Sequence, residues 1–238
     1  MADFPEEAQN AIENHGIIGD MRSAALIADT GSIDFCCWPD FDSPSIFTAL
    51  LDTNDAGIFQ LAPDLPDARR LQIYLPDTNV LQTRWISEEA VVEVTDLMPI
   101  GEDQDDLPRI VRRVQVRFGK ATIRMRCKVR MDYSRAETTA HQDGNDVCFQ
   151  AEGQPGMRLS AATPLHVEHD AAVAEFQMEK GQTIEFILGG VDDPHVAAGK
   201  CSRYFDDTLA FCVAGRDSPS TRAAGARWSC ARRWHSSC

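Results

Sequence analysis

The chain has 238 residues, of which 43% are hydrophobic and 25% are charged, a composition typical of a folded globular protein. That length is enough for one large β domain or two small ones with a sizeable core. The net charge of −14 at pH 7 argues against binding to nucleic acid or to anionic membrane surfaces, because phosphate groups would be repelled. Neutral ligands would be unaffected by this charge.

The N-terminal segment, residues 1–14, contains neither a basic region nor an apolar run, so the sequence predicts no signal peptide. No segment approaches the roughly 20 apolar residues that are needed to span a bilayer. We therefore expect a cytoplasmic protein whose residues 1–14 lie loosely on the surface.

Residues 15–47 are the stretch around which we expect the fold to be organised. Two apolar runs of strand length, 24–27 and 33–37, flank the turn-forming sequence Asp-Thr-Gly-Ser at 29–32. This pattern predicts a β-hairpin. Beyond it, Ser43 and Pro44 have the chemistry of an N-cap and a first helical position, which predicts a short helix through residue 51.

An aromatic and acidic loop lies between this hairpin and the predicted helix, and it contains Trp38, Asp40, Phe41 and Asp42. Its prolines lack the N–H that a strand ladder needs, so the ladder ends there. Loops that are held between rigid elements often carry functional residues.

The remaining chain predicts further short strands at 58–62, 71–75, 80–86, 90–98, 147–151, 157–161, 173–178 and 183–188, with an acidic loop at 101–106. Alternating runs before and after Gly119-Lys120 predict an antiparallel hairpin whose outer face is basic. That face is either solvated charge or a docking surface for an acidic neighbour. Many short strands and little helix predict an all-β fold, a large antiparallel β-sandwich over 15–200, with a helix starting near 201–211.

The last segment, residues 212–238, differs from the rest in composition. It lacks Ile, Leu, Met and Phe, and it carries five Arg against one Asp. If the codons are read with the frame displaced by two nucleotides, they permit an apolar helical sequence instead. We therefore interpret this segment as a disordered, frameshifted tail, and a natural basic terminus is the alternative.

The cysteine and histidine patterns do not indicate a metal or a cofactor. Of eight cysteines, Cys36 and Cys37 are adjacent, while Cys127 and Cys148 lie in strand-like runs, so we expect buried free thiols. There is no CxxC pair, and the histidines of the sequence His-Val-Glu-His at 166–169 are expected on the surface. No glycine pattern for a nucleotide cofactor is present.

Five short blocks resemble, in order and spacing, the start of bacterial trehalases and glucoamylase-like enzymes of glycoside hydrolase family 15. The blocks are residues 17–22 with 29–34, residues 39–47, 95–99, 108–111 and 132–136. The resemblance covers roughly residues 10 to 211 and implies an N-terminal β-sandwich of the supersandwich type. In the family this domain precedes a helical barrel, and we expect that barrel to be missing here because the resemblance ends before it.

The family hydrolyses α-glucosidic bonds with inversion, which requires an acid and a base roughly 6.5–9.5 Å apart. The resemblance implies that both are glutamates of the barrel, so no catalytic residue transfers to this chain. Asp20 with Arg22, and Asp132 with Arg135, are interpreted as ion pairs that brace the motifs. Asp42 is expected to brace its own loop, while Trp38 and Phe41 would pack on a neighbouring domain or stack on a sugar.

Three functions follow from these observations. The first is the non-catalytic β domain of an α-glucoside hydrolase, inactive alone, whose partner is the helical barrel. The second is an independent carbohydrate-binding or interaction module, with the loop at residues 38–42 as its contact surface. The third is a complete enzyme that uses its own aspartates and glutamates.

Overall fold

The computed structural model describes residues 10–51, 56–100, 108–193 and 201–217. The acidic loop predicted at 101–106 and the segments 1–9 and 218–238 lie outside the described residues. A 3₁₀ turn at Ile12–Asn14 precedes the first strand, and the helix α1, Cys201–Asp217, follows the last. The fifteen strands found among the described residues are β1 His15–Gly19, β2 Ala24–Ala28, β3 Ser32–Cys37, β4 Ser45–Phe47, β5 Ile58–Pro63, β6 Arg69–Tyr74, β7 Leu81–Ile86, β8 Ala90–Leu97, β9 Ile110–Lys128, β10 Thr139–Asp143, β11 Asp146–Gln150, β12 Met157–Ala161, β13 His166–Glu168, β14 Ala171–Glu179 and β15 Thr183–Gly190.

The described strands form two antiparallel sheets that share one long strand, β9. Sheet A has the order β1-β2-β3-β5-β9-β14-β13, with β4 beside β3. Sheet B has the order β6-β7-β8-β9-β15-β12-β11-β10. A single main core contains residues from both sheets. The all-β sandwich expected from the sequence is confirmed.

The hairpin predicted around Gly119-Lys120 is wrong, because β9 runs through this point as one strand of 19 residues. Its first half pairs with β8 and β15, and its second half pairs with β5 and β14. Gly119 has a positive φ of 69° beside an irregularity in the β8–β9 register, and a Cβ there would collide with the Glu89 carbonyl. The glycine therefore marks the place where the strand passes between sheets rather than a reversal of the chain.

The short helix predicted after Ser43 and Pro44 is also wrong, since Ser45–Phe47 form the strand β4. Ile46 and Phe47 are buried in the main core, and the Ile46 carbonyl accepts a hydrogen bond from the backbone N–H of Arg130. These tertiary contacts outweigh the local capping signal. The strands β1, β10 and β13 carry no clear pattern of their own and are not predicted from the sequence.

The basic face predicted along β9 is neutralised by neighbouring strands. Arg113 pairs with Glu185 on β15, Arg117 with Glu93 on β8, and Arg124 with Glu175 on β14. These cross-strand pairs stabilise the sheet itself. The alternative of a docking surface for an acidic neighbour stays a prediction.

The helix α1 begins where the sequence predicts and continues to Asp217, past the predicted boundary at residue 211. Phe205 packs against apolar residues on the outer face of sheet B, and it lies 3.7 Å from the Arg113 guanidinium, measured to the ring centroid. The Arg109 guanidinium lies over the Tyr204 ring and forms a buried ion pair with Asp193. Cation–π and apolar contacts thus hold the helix against the sheet.

The two sheets are joined in the core by the fully buried Arg112 on β9. Its guanidinium forms an ion pair with Asp96 on β8 at 2.8 Å and donates hydrogen bonds to the carbonyls of Gly31 and Phe59 on the sheet A side. Burial raises the pKa of the Asp96 carboxyl above its ordinary value, and the guanidinium opposes this shift. We call these four residues the Arg112 clamp.

In the described part of the chain, no helix is long and apolar enough to cross a bilayer. The described cysteines Cys36, Cys37, Cys127, Cys148 and Cys212 are free thiols.

The Arg112→Met variant should unfold about 3–5 kcal/mol more easily than the parent chain, because it leaves the Asp96 carboxyl buried without its cation. Urea denaturation measures this difference. The matched control is Arg117→Met, whose side chain is 52% exposed and whose partner Glu93 keeps a second cation, Arg84. That control should change the unfolding free energy by no more than about 1 kcal/mol. Equal effects of the two substitutions would contradict the proposed importance of the Arg112 clamp.

Candidate functional site

The aromatic and acidic loop between β3 and β4 presents one of its two aromatic side chains to solvent. Trp38 is 4% exposed and belongs to the main core, whereas Phe41 is 62% exposed. Asp40 is half-buried and Asp42 is exposed. Phe41 is therefore the aromatic residue of this loop that is available to a partner, and Trp38 anchors the loop.

The loop is fixed to the turn between β1 and β2. Arg22 forms an ion pair with Asp40 at 2.9 Å, and the Phe41 N–H donates to the Arg22 carbonyl at 2.8 Å. Asp20 accepts hydrogen bonds from the backbone N–H groups of Arg22 and Ser23 through one carboxylate oxygen. Arg22 and Asp40 are eighteen residues apart in the chain, so their pair joins the motif blocks 17–22 and 39–47 into one unit. In this unit, Asp20 shapes the turn and Arg22 reaches the loop.

The block at residues 132–136 forms an unusual turn. Asp132, Tyr133 and Ser134 all have positive φ angles, of 54°, 56° and 63°. This left-handed conformation costs roughly 1–2 kcal/mol for each residue that has a Cβ. Arg135 offsets part of the cost with a 2.7 Å ion pair to Asp132, and its guanidinium lies 5.3 Å from the Tyr133 ring centroid.

This turn is bonded to the residues that follow the aromatic loop. The Tyr133 N–H donates to the Ser45 carbonyl at 3.1 Å, and the hydroxyls of Thr48 and Ser134 are 2.8 Å apart. The segments 20–23, 38–45 and 131–135 are thus linked by hydrogen bonds, and we call them together the loop end of the sandwich. Its exposed large hydrophobic side chains are Met21 at 70%, Phe41 at 62% and Tyr133 at 47%. Met21 and Tyr133 were not among the predicted site residues, because exposure leaves no pattern in the sequence.

The two remaining motif blocks, 95–99 and 108–111, contribute buried ion pairs and are not part of the loop end. Residues 95–99 contain Asp96 of the Arg112 clamp, and residues 108–111 contain Arg109, which is paired with Asp193 and covered by Tyr204. Both blocks therefore stabilise sheet B and the attachment of α1. Sequence patterns predicted neither pair, since each joins residues that are distant along the chain.

Metal-binding and nucleophilic chemistry have little support at the described residues. His166 and His169 are exposed, and within the described ranges no group of three or more His, Cys, Asp or Glu side chains is arranged to hold a metal ion. Burial raises the pKa of Cys36 to about 12 and also raises the pKa values of Cys37, Cys127 and Cys148. These thiols are protonated at neutral pH and are therefore poor nucleophiles.

Alkylation should show that the fully buried thiols react only after the chain is unfolded. In the native chain at pH 8, iodoacetamide should leave Cys36 and Cys127 unmodified, because both are enclosed and neither forms the thiolate. Peptide mapping by mass spectrometry measures the modified fraction, and both residues should react once urea unfolds the chain. Rapid alkylation of Cys36 in the native state would contradict the assignment.

The Arg22→Met variant should loosen the loop end without unfolding the sandwich. Loss of a half-exposed ion pair costs no more than about 1 kcal/mol of global stability. The amide of Phe41 should nevertheless exchange with deuterium faster, since its hydrogen-bond acceptor belongs to residue 22. Arg135→Met is the matched control and should leave the exchange of this amide unchanged. Equal exchange rates in the parent chain and in Arg22→Met would show that the pair does not hold the loop.

Comparison of the sequence with known proteins shows the family to which the chain belongs. Residues 4–198 match the family described as "Trehalase-like, N-terminal". A trehalase of Thermoplasma volcanium is 29% identical over 181 residues, which are 75% of this chain and 29% of that protein. A trehalase of Mycolicibacterium smegmatis is 28% identical over 209 residues, covering 77% of this chain and 31% of that protein. Trehalase 1 of Sulfolobus acidocaldarius is 43% identical over 100 residues, which are 42% of this chain and 16% of that protein. The chain thus spans less than a third of the length of these relatives, and it belongs to the trehalase-like N-terminal domain family.

Proposed function

We propose that this chain is the non-catalytic N-terminal β domain of an α-glucoside hydrolase of glycoside hydrolase family 15. Its role is to support a helical-barrel domain that carries the catalytic acid and base. The observation that carries the proposal is the family match over residues 4–198, combined with relatives of which this chain covers only 29–31%. The remainder of those relatives is long enough to hold a separate catalytic domain.

The described carboxylates support a structural role. Inverting hydrolysis needs a protonated carboxyl and a second carboxylate on opposite sides of a sugar-sized cleft. Within the described ranges, the acidic residues with buried side chains include Asp34, Glu93, Asp96 and Asp193. Asp34 faces His15, Glu93 faces Arg84 and Arg117, Asp96 faces Arg112, and Asp193 faces Arg109. Each of the four is enclosed and engaged with a basic side chain, so none is suited to protonate a leaving group.

The loop end is the surface that we assign to the helical domain. It exposes Met21 and Phe41 on backbone segments that are already fixed by the Arg22–Asp40 pair. A contact surface that is ordered before binding loses little conformational entropy on association. Large exposed apolar side chains at such a surface favour a protein partner.

The alternative function is an independent module that binds carbohydrate through the same loop. The exposed ring of Phe41 favours it, because an aromatic ring can pack on the apolar face of a sugar. Binding of an α-glucoside that disappears in Phe41→Ala would support this alternative. The variant Trp38→Ala would not test it, since Trp38 lies in the core.

Association with a helical domain tests the leading proposal. The chain would be mixed with a Mycolicibacterium smegmatis trehalase fragment that lacks its own matching segment, and complex formation would be measured by isothermal titration calorimetry. We expect a one-to-one complex that Phe41→Ser weakens by about tenfold or more, as is typical of an apolar contact at the centre of an interface.

Phe118→Ser is the matched control for this experiment. Phe118 is 53% exposed and lies on β9, in none of the loop-end segments, so its replacement should leave the affinity unchanged. No complex, or equal weakening by the two substitutions, would contradict the assigned surface.

A further inference from the structure

A row of apolar side chains crosses the outer face of sheet B near the turn that joins β7 to β8. Ile86 on β7, Val91 on β8 and Phe118 on β9 lie directly opposite one another in neighbouring strands. Ile86 is 40% exposed, Phe118 is 53% exposed and Val91 is half-buried. Leu71 on the edge strand β6 adjoins this row and is 39% exposed. We call these four residues the outer strip.

The outer strip repeats a pattern that the same face of sheet B uses to hold α1. Leu97, Val111 and Ile187 also lie directly opposite one another, and Phe205 of α1 packs on them. Single exposed apolar residues are ordinary on a protein surface, but a continuous row on one face favours an interaction site. One such row is therefore buried within the chain, whereas the outer strip is exposed.

The two sides of the outer strip carry opposite charges. On the side toward α1, Arg84 and Arg117 share the carboxylate of Glu93, so this side has one positive charge in excess. On the other side, the exposed residues Glu88 and Glu89 lie in the turn between β7 and β8. A partner that covers the strip must therefore offer negative charge on one side and positive charge on the other.

A second copy of this chain meets that requirement. A two-fold axis that runs along the outer strip turns the second copy over, so that Phe118 packs on Phe118 and Ile86 packs on Ile86 of the other copy. The arginine side of each copy then faces the glutamate side of the other, and the strands of the two sheets stay aligned. A two-fold axis along the strands would instead oppose arginine to arginine. We propose that the outer strip is the contact surface of a symmetric dimer of this chain.

The surroundings of the outer strip leave room for this dimer. Along β8, the strip at Val91 and the row beneath α1 at Leu97 are about 20 Å apart. The strands β7 and β8 end at the turn beside the strip, so the second copy overlaps the strip without reaching α1. Arg69 is exposed on the edge strand and extends into solvent, and Lys120 lies opposite Glu179 in sheet A.

The contact is small, so the dimer is weak. Four residues on each copy bury less than the roughly 800 Å² per partner that stable complexes use. We therefore expect a Kd on the order of 100 µM.

Sedimentation equilibrium of the 238-residue chain, from about 10 µM to about 1 mM, tests the proposal. We expect a monomer–dimer equilibrium whose Kd rises about tenfold or more in Phe118→Ser, because an aromatic contact on the two-fold axis is lost. The double variant Glu88→Arg with Glu89→Arg should also raise the Kd about tenfold, since like charges then face each other. This double variant makes the chain less negative than −14, which reduces the general repulsion between copies. A rise in its Kd therefore reports on the contact itself.

Two controls separate this contact from other surfaces. The double variant Glu137→Arg with Glu152→Arg makes the same change of charge at exposed positions near β10 and β11, and it should not raise the Kd. Phe41→Ser should leave the dimer unchanged, whereas Phe118→Ser should leave binding to the helical fragment unchanged. The dimer and the proposed function can therefore fail independently. Circular dichroism should show that all variants fold, because each replaced side chain is exposed.

The proposal would be overturned by a chain that stays monomeric up to about 1 mM, tenfold above the expected Kd. It would also be overturned by a dimer that Phe118→Ser leaves unchanged, or by one that Phe41→Ser weakens, a result that would assign the contact to the loop end.

Discussion

The packing of the two sheets depends on the Arg112 clamp. A completely enclosed guanidinium is tolerated only if its charge and its nitrogen atoms are engaged, and Asp96 with the carbonyls of Gly31 and Phe59 engages all three nitrogens. Asp96 belongs to sheet B, whereas the two carbonyls belong to the sheet A side. The same side chain therefore fixes how the sheets face each other, a specificity that apolar packing alone would not supply.

The strand that carries Arg112, β9, also connects the face of sheet B that holds α1 with the loop end. Its first half carries Arg113, which holds α1 on the outer face of sheet B through Phe205. Its second half ends at Lys128, a few residues before the left-handed turn that is bonded to Ser45. Because one strand is continuous between these points, the loop end and α1 are attached to the same rigid element. This arrangement supports the role that we propose for the domain, which is to hold a neighbouring helical domain in a fixed position.

The sequence predicted much of this architecture, and the errors share a physical cause. Alternation of apolar and polar residues predicts most strands, because a strand with one buried face carries this alternation in its own sequence. Gly119 predicts a turn from the sequence alone, because a positive φ is needed both in a turn and in a strand that bends between sheets. Ser43 and Pro44 resembled a helix start, yet the core contacts of Ile46 and Phe47 impose a strand. The Arg112–Asp96 and Arg22–Asp40 pairs join strands or turns that only the fold brings together, so no local pattern could reveal them.

We propose that this domain supports catalysis without performing it, and the decisive measurement is hydrolysis of trehalose by the purified chain. We expect glucose release to stay at the rate of the buffer blank across the pH range in which the chain is folded. The proposal would be contradicted by turnover that co-purifies with the chain and is abolished when one carboxylate among the described residues is changed to its amide.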